Sequence, residues 1–563
     1  MEESRTVDLL VIGAGPAGMT AALVASLEGL DVLLCEKTDQ VGGTGATSAG
    51  TLWIPGNTQS KAAGYDDSAD KADIYLSGLI GAGTNRVLRD AYLQTGPKAI
   101  DYLTAKTDVQ FLTCGTHPDY RSNMAGAAIS GRAIVPVPFD GRLLGRHFRR
   151  VRAPIREFLV FGGMMVGKPD IAPLIGRFKS AANFIYAAKL FARYLSDRLR
   201  YPRGTRLMLG NALVARLFYS LCKRDVPILF DTSLKDLVHD GAGVTGAILS
   251  SSDGDLPVTT RRGVVLATGG YAHNEQLRRR FMPKASPIYS LSFAGNEGEG
   301  VSAAERAGAR LGPDNITSGL WSPVSIVKRR DGSTGLYPHL AFDRAKPGLI
   351  AVNAEGRRFV NEACSYHDFV LAMIETNDTA KAIPAWLVCD APFLKKYGLG
   401  VIYPGHSNPG RFVDEGCLVR ASTLDELANK IGVDAAGLRD SVARNNRYAE
   451  SGIDADFAKG ETELNRFNGD AGHKPNPCIG PIATPPFYAL AVWPADIAVS
   501  TGVLTDADGR ALDNDGKVIP GLYACGNDMA SVMGGSYPGP GTTLGPAVVF
   551  AYRAAMRAKA ETL

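Results

Sequence analysis

Several common signatures are missing from this chain. Its eight Cys are scattered and none forms a CxxC pair, so neither a zinc site nor an iron–sulfur cluster is signalled. The expected state is reduced, mostly buried thiols in a cytosolic protein. No run of 18 or more uncharged apolar residues occurs, and no transmembrane helix is expected. The opening Met-Glu-Glu-Ser-Arg leads into an apolar run without a long h-region, so no signal peptide is expected either. Histidine is scarce, at 8 residues, and no Ser-His-Asp or Cys-His arrangement can be inferred from the spacing.

Glycine, in contrast, is in excess, with 64 of 563 residues, or about 11% against a usual ~7%. That suits a fold with several tight loops around a dinucleotide. Hydrophobic residues make up 45% and charged residues 21%, as in an ordinary soluble globular protein. A chain of 563 residues exceeds a single core, so two domains are expected, or three counting an insertion. The net charge of +4 hides an asymmetry. Residues 142–206 carry 12 Arg and 3 Lys against Glu157, Asp170 and Asp197, a local balance of +12, so the remainder is net acidic.

Residues 7–12 read as a buried strand, followed by Gly13-Ala14-Gly15-Pro16-Ala17-Gly18, a helix to about residue 28, and a second strand, 32–35, ending at Glu36. This is a βαβ unit carrying GxGxxG in its required context. Gly13 permits the tight turn, Gly15 lets a pyrophosphate approach the backbone, and Gly18 lets the helix pack on the strand. Phosphates then meet the helix N-terminus, where free N–H groups favour negative charge. Glu36, 18 residues past Gly18, is placed to accept hydrogen bonds from ribose hydroxyls.

Further segments distinguish FAD from NAD. Val41-Gly42-Gly43-Thr44 with Thr47, Ser48 and Gly50 resembles the pyrophosphate loop of the flavoprotein superfamily that contains fumarate reductases. Ala267-Thr268-Gly269-Gly270 resembles its ATGG strand end, and residues 523–527 resemble its C-terminal FAD contact. The resemblance implies non-covalent FAD and extends its contacts to Ala17, Lys37, Gly526, Asn527, Thr543 and Leu544. The fold it implies is α/β: a Rossmann-type FAD-binding domain (1–314 and 487–563) with an inserted α+β catalytic domain (315–486) and a basic insertion at 142–206.

Within that superfamily, Ser536-Tyr537-Pro538-Gly539-Pro540-Gly541-Thr542 resembles the YPGPG signature of the 3-ketosteroid Δ1-dehydrogenase family, and Leu52-Trp53-Ile54-Pro55 and Pro118-Asp119-Tyr120 resemble further segments of it. Gly356-Arg357-Arg358-Phe359-Val360-Asn361-Glu362 is shared more widely. Four residues beyond Glu362, where fumarate reductases carry a proton-donating arginine, this chain has Tyr366. The resemblance implies introduction of a C1–C2 double bond into a 3-ketosteroid. Tyr537 and the Gly541 N–H would bind the ketone oxygen, where enolate charge develops. Tyr366 would take the proton from carbon 2, with Tyr120 easing its ionisation, and the flavin would take hydride from carbon 1. Tyrosine is a weak base at its usual pKa of roughly 10, so a lowered value is expected. A Δ4-dehydrogenase or a flavin C=C reductase is the alternative. His367 is expected to be structural. The electron acceptor is not identified by the sequence.

In the basic segment, Phe184, Ala188, Phe191 and Leu195 recur at helical spacing, with Lys189, Arg193 and Arg200 on another side. A basic amphipathic helix of this kind lies in a membrane interface, which puts the protein in the cytoplasm, peripheral on the inner face of the membrane. The competing expectation is a helix packed on the FAD domain with a charged outer face. No nucleic-acid motif accompanies the charge.

Overall fold

The computed structural model describes residues 5–282, 289–312, 318–340, 343–405 and 409–561. Its first sheet forms around Arg5–Ile12, in which Leu9, Leu10 and Val11 are fully buried. A parallel strand covered on both faces needs such a continuous apolar run. It pairs in parallel with Val32–Cys35 on one side and Gly254–Leu266 on the other. Ile228–Leu229 extends the sheet beyond Val32–Cys35. The 13-residue strand Gly254–Leu266 has two partners on its far side. Its first half runs antiparallel to Val244–Ser251, and its end runs parallel to Val518–Ala524. The C-terminal part of the chain thereby returns beside the N-terminal strand. The helix Leu544–Ala560 then packs against Pro16–Leu27, and the alanines of both helices allow a close approach.

A second, seven-stranded sheet is built around Phe487–Val499, with antiparallel Gly319–Lys328 and Ala385–Asp390 on either side. Residue 487 was the expected point of return to the first domain. Instead these 13 residues form the centre of the second sheet. Their near-continuous burial explains the placement, because a strand so apolar needs cover on both faces. Tyr289–Ser290, ahead of the expected boundary at 315, also joins this sheet. The return comes at Val518–Ala524.

Residues 142–206 are pinched off at their base, where Phe139–Asp140 pairs with Arg206–Leu207. They form a short hairpin, Leu159–Val160 with Met164–Met165, and two helices, Lys168–Ile175 and Ala181–Arg198. All three acidic residues of the segment act as fasteners, Asp170 and Asp197 within it and Glu157 to the second domain. Glu157 pairs with Arg329, Asp170 with Arg206 and Asp197 with Arg142, each at 2.7 Å.

Candidate active site

A single cavity of about 1280 Å³ is lined by the glycine turn, by both sheets' connecting segments and by the basic insertion. At one end its wall holds Gly13, Gly15, Ala17, Glu36 and Lys37. Gly13 has φ +101°, and a Cβ there would lie 2.4 Å from the Ala267 carbonyl oxygen. At Gly15 a Cβ would project into open space, and no side chain caps the helix Pro16–Leu27 that starts there. That combination suits a pyrophosphate, which needs both the room and the unsatisfied N–H groups. Gly18 lies behind the wall and holds the helix against the turn, since a Cβ would sit 1.8 Å from the Gly13 carbonyl oxygen. Glu36 is oriented by Ala14 N–H (2.9 Å) and Thr38 N–H (3.1 Å).

Gly43, Thr44, Thr47 and Ser48 form the next stretch of wall, with Gly42 behind them as the left-handed entry to the turn. The Thr44 hydroxyl accepts from Phe293 N–H (2.9 Å) and from the Asn296 amide (3.1 Å). Ala267, Thr268, Gly269, Gly526, Asn527, Thr543 and Leu544 complete this end. Asp528 underpins it. Its carboxylate accepts from Thr268 Oγ1 (2.9 Å) and Gly270 N–H (2.8 Å), and burial pushes its pKa up to about 6. Sequence reasoning missed both Asn296 and Asp528. The only available signal for Asp528 was its place directly after Gly526-Asn527.

In the other lobe, Tyr120, Tyr366, Tyr537 and Gly541 come together on the cavity wall. The hydroxyls of Tyr120 and Tyr366 are 2.8 Å apart. The rings of Tyr120 and Tyr537 stack at 5.4 Å, and Tyr366 meets both edge-on at 5.3 Å. Tyr366 is the first residue of the helix Tyr366–Asn377, whose N-cap Ser365 accepts from Asp368 N–H at 3.0 Å. Burial pushes all three phenols up, Tyr120 and Tyr366 well above the usual range. This reverses the direction expected from a second phenol, because desolvated rings with no cation among them offer an anion little support. Gly541 has φ +93°, a Cβ there would lie 2.4 Å from the Thr51 carbonyl oxygen, and its N–H has no protein acceptor among the described residues. His367 is buried and accepts from Trp321 N–H at 3.2 Å, with burial lowering its pKa to about 4.

The third part of the wall comes from the insertion. Pro154, Leu159, Val160, Phe161, Ile171 and Ile175 line the cavity, a role that the apolar run at 158–166 did not reveal in the sequence. Among the described residues no group of His, Cys, Asp and Glu is placed to hold a metal ion.

Known proteins resemble the chain in sequence and in fold. The sequence matches the family described as FAD binding domain over residues 8–544. It is 38% identical to 4-oxocyclohex-2-ene-1-carboxylate 5-dehydrogenase of Sinomonas cyclohexanicum, over 98% of this chain and 94% of that protein. It is 35% identical to 3-oxosteroid 1-dehydrogenase of Mycobacterium tuberculosis, over 98% and 97% of the two chains. Among solved structures, 3-ketosteroid Δ1-dehydrogenase from Sterolibacterium denitrificans in complex with 1,4-androstadiene-3,17-dione is similar with a TM-score of 0.91. That structure is 38% identical in sequence, and the match covers 99% of this chain and all of that one.

Proposed function

The chain belongs to the FAD binding domain family, and from that premise we propose that it is a 3-ketosteroid Δ1-dehydrogenase. The observation that carries the reading is the meeting of Tyr120, Tyr366, Tyr537 and Gly541 in the same cavity as the glycine turn. The residues of that turn and of the loop after Glu36 would hold the cofactor. FAD, when bound, accepts the hydrogen that leaves carbon 1 with its electron pair. The protein's own groups handle the rest. The Tyr537 hydroxyl and the Gly541 N–H would hold the ketone oxygen and stabilise the negative charge that grows on it as carbon 2 loses its proton. Tyr366 would receive that proton. Tyr120, whose hydroxyl donates to the Tyr366 oxygen at 2.8 Å, would stabilise the Tyr366 phenolate that accepts the proton, against the upward push of burial. The product gains one C1–C2 double bond for the hydride and proton lost.

The test is anaerobic bleaching of the purified yellow protein by a saturated 3-ketosteroid, followed by product identification. A 1-ene product is expected, and an unbleached flavin overturns the reading. The second reading is the same chemistry on a one-ring keto acid, favoured by the similarity to the Sinomonas enzyme. Bleaching by 4-oxocyclohex-2-ene-1-carboxylate and not by the steroid would establish it instead.

The finer part of the reading is attachment through residues 142–206 to the inner face of the cytoplasmic membrane. No helix among the described residues is long and apolar enough to cross a membrane. The insertion nonetheless exposes Phe178 (79%), Phe184 (55%) and Leu199 (85%). Its acids are turned inward, which leaves basic side chains around that apolar face, the pattern of an interfacial helix. Because Ile171 and Ile175 line the cavity as well, the segment reaches from the exposed face to the substrate lobe. All eight cysteines are free, as a reducing compartment requires.

A further inference from the structure

Two motifs, Trp53 in Leu52-Trp53-Ile54-Pro55 and Asp119 in Pro118-Asp119-Tyr120, take no part in the chemistry above, yet they meet directly. The Trp53 indole N–H donates to Asp119 Oδ1 at 2.8 Å. Arg132 approaches the other oxygen, with Nη1 2.6 Å from Asp119 Oδ2, and its remaining nitrogens bind Asp67 Oδ1 at 3.0 and 3.1 Å. Trp53, Asp119, Arg132 and Asp67 are all buried. The Arg132 guanidinium also lies over the Trp53 ring, 5.5 Å from its centre. A buried charge is retained only when it is paired and hydrogen-bonded, and here every member has partners.

This cluster grips three segments of the reactive lobe. Asp119 immediately precedes Tyr120, whose N–H donates to the Pro538 carbonyl oxygen at 2.8 Å. The Trp53 backbone N–H donates to the Gly541 carbonyl oxygen at 3.2 Å. Between them, Gly539 presses on the Trp53–Asp119 hydrogen bond itself. A Cβ there would stand 2.6 Å from the indole nitrogen and 2.9 Å from Asp119 Oδ1. Tyr75 closes the far side by donating to the Pro538 carbonyl oxygen at 2.7 Å.

We propose that Asp119 is a positioning residue: its carboxylate, backed by Arg132 and Asp67, holds Trp53, Tyr120 and residues 538–541 in register, so that Tyr120, Tyr366 and Tyr537 converge on one point. The proposal rests on the reading that these tyrosines act on the substrate. Asp119 itself touches no reacting atom. Its contribution is distance control, where an error near 1 Å costs on the order of 100-fold in rate.

The test is stopped-flow flavin reduction, per bound FAD, in the purified holoenzyme, with an ordinary saturated 3-ketosteroid and with one deuterated at carbon 2. Asp119→Asn keeps the acceptor for Trp53 but loses the ion pair, and Trp53→Phe keeps the ring but loses the N–H. Both are expected to slow reduction about 10- to 100-fold. They should also raise the carbon-2 isotope effect, with KM held within about threefold and FAD retained. Arg132→Lys, which keeps a cation beside Asp119, should recover much of the rate lost in Arg132→Met. Wild-type reduction rates and isotope effects in FAD-loaded Asp119→Asn, or in Trp53→Phe if the first variant does not fold, overturn the proposal. So does a loss explained wholly by released FAD. Wild-type protein that the steroid does not bleach would instead overturn the reaction reading, and the wild-type control tells the two failures apart.

Discussion

Tyr366 sits at a conflict between burial and function. A proton acceptor needs its anion stabilised, yet burial among two other phenols holds the Tyr366 pKa well above its usual value. What opposes burial is the position of Tyr366 at the N-terminus of the helix Tyr366–Asn377, where the dipole favours negative charge. The base must be unprotonated to act, and its pKa is shifted upward, so the rate of flavin reduction should climb with pH through the neutral range. A rate that falls over that range would assign the proton to another group. Tyr366→Phe should lower flavin reduction by ~10²–10⁴-fold while FAD absorbance is retained, and undiminished turnover would identify a different base. The tyrosines were legible because each sits in a short motif whose residue type carries the chemistry. Asp528 and Arg132 were not, since a carboxylate that accepts from Thr268 and Gly270 across the chain leaves no local pattern. The direction of the phenol shifts was equally hidden, because burial is a property of packing.

Periodicity at the level of elements revealed the βαβ unit within two residues and a helix through Phe184–Leu195, which lies inside Ala181–Arg198, although Arg200, expected on its basic side, falls beyond its end. It could not assign Phe487–Val499 to a sheet. A continuous apolar run states that a strand is covered on both faces and says nothing of which neighbours cover it. The same limit applies to amphipathic helices, whose apolar stripe serves a core or a lipid surface equally well. Here Phe184, Phe191 and Leu195 of Ala181–Arg198 are exposed, which favours the lipid surface over packing on the FAD domain. Replacing Phe178 and Phe184 by Asp removes two rings, together worth about 3–6 kcal/mol of burial. Co-sedimentation with anionic vesicles should then weaken by ~100-fold or more. Wild-type binding should also fall as salt is raised, because a Debye length of about 10 Å at 0.1 M screens the arginines. Unchanged vesicle binding by the double variant would remove the membrane reading while leaving the dehydrogenase reading intact.

The cofactor end of the cavity ties distant parts of the whole molecule together: residues 13–17, 36–48, 267–269, 526–527 and 543–544 all contribute to its wall. Four of these stretches, all but 543–544, were recognisable as sequence motifs in the correct order, which is why the cofactor could be read before the fold. The substrate end could be read only in part, because its outer wall belongs to the insertion, fastened by Glu157 to Arg329, the residue after the strand Gly319–Lys328 of the second sheet. A ligand bound only by the folded chain stabilises it by RT ln(1 + [L]/Kd), about 2.7 kcal/mol at 100-fold excess over Kd. Stripping FAD should therefore lower Tm by roughly 2 °C in a chain of 563 residues, with Tm rising again as FAD is added back. A saturated 3-ketosteroid should raise Tm of the FAD-loaded protein under anaerobic conditions and do little to the stripped protein, because both lobes open into one cavity. Equal steroid stabilisation of loaded and stripped protein would mean that the lobes act independently, and the substrate lobe would then have to be assembled by the Trp53–Asp119–Arg132 cluster and the insertion alone.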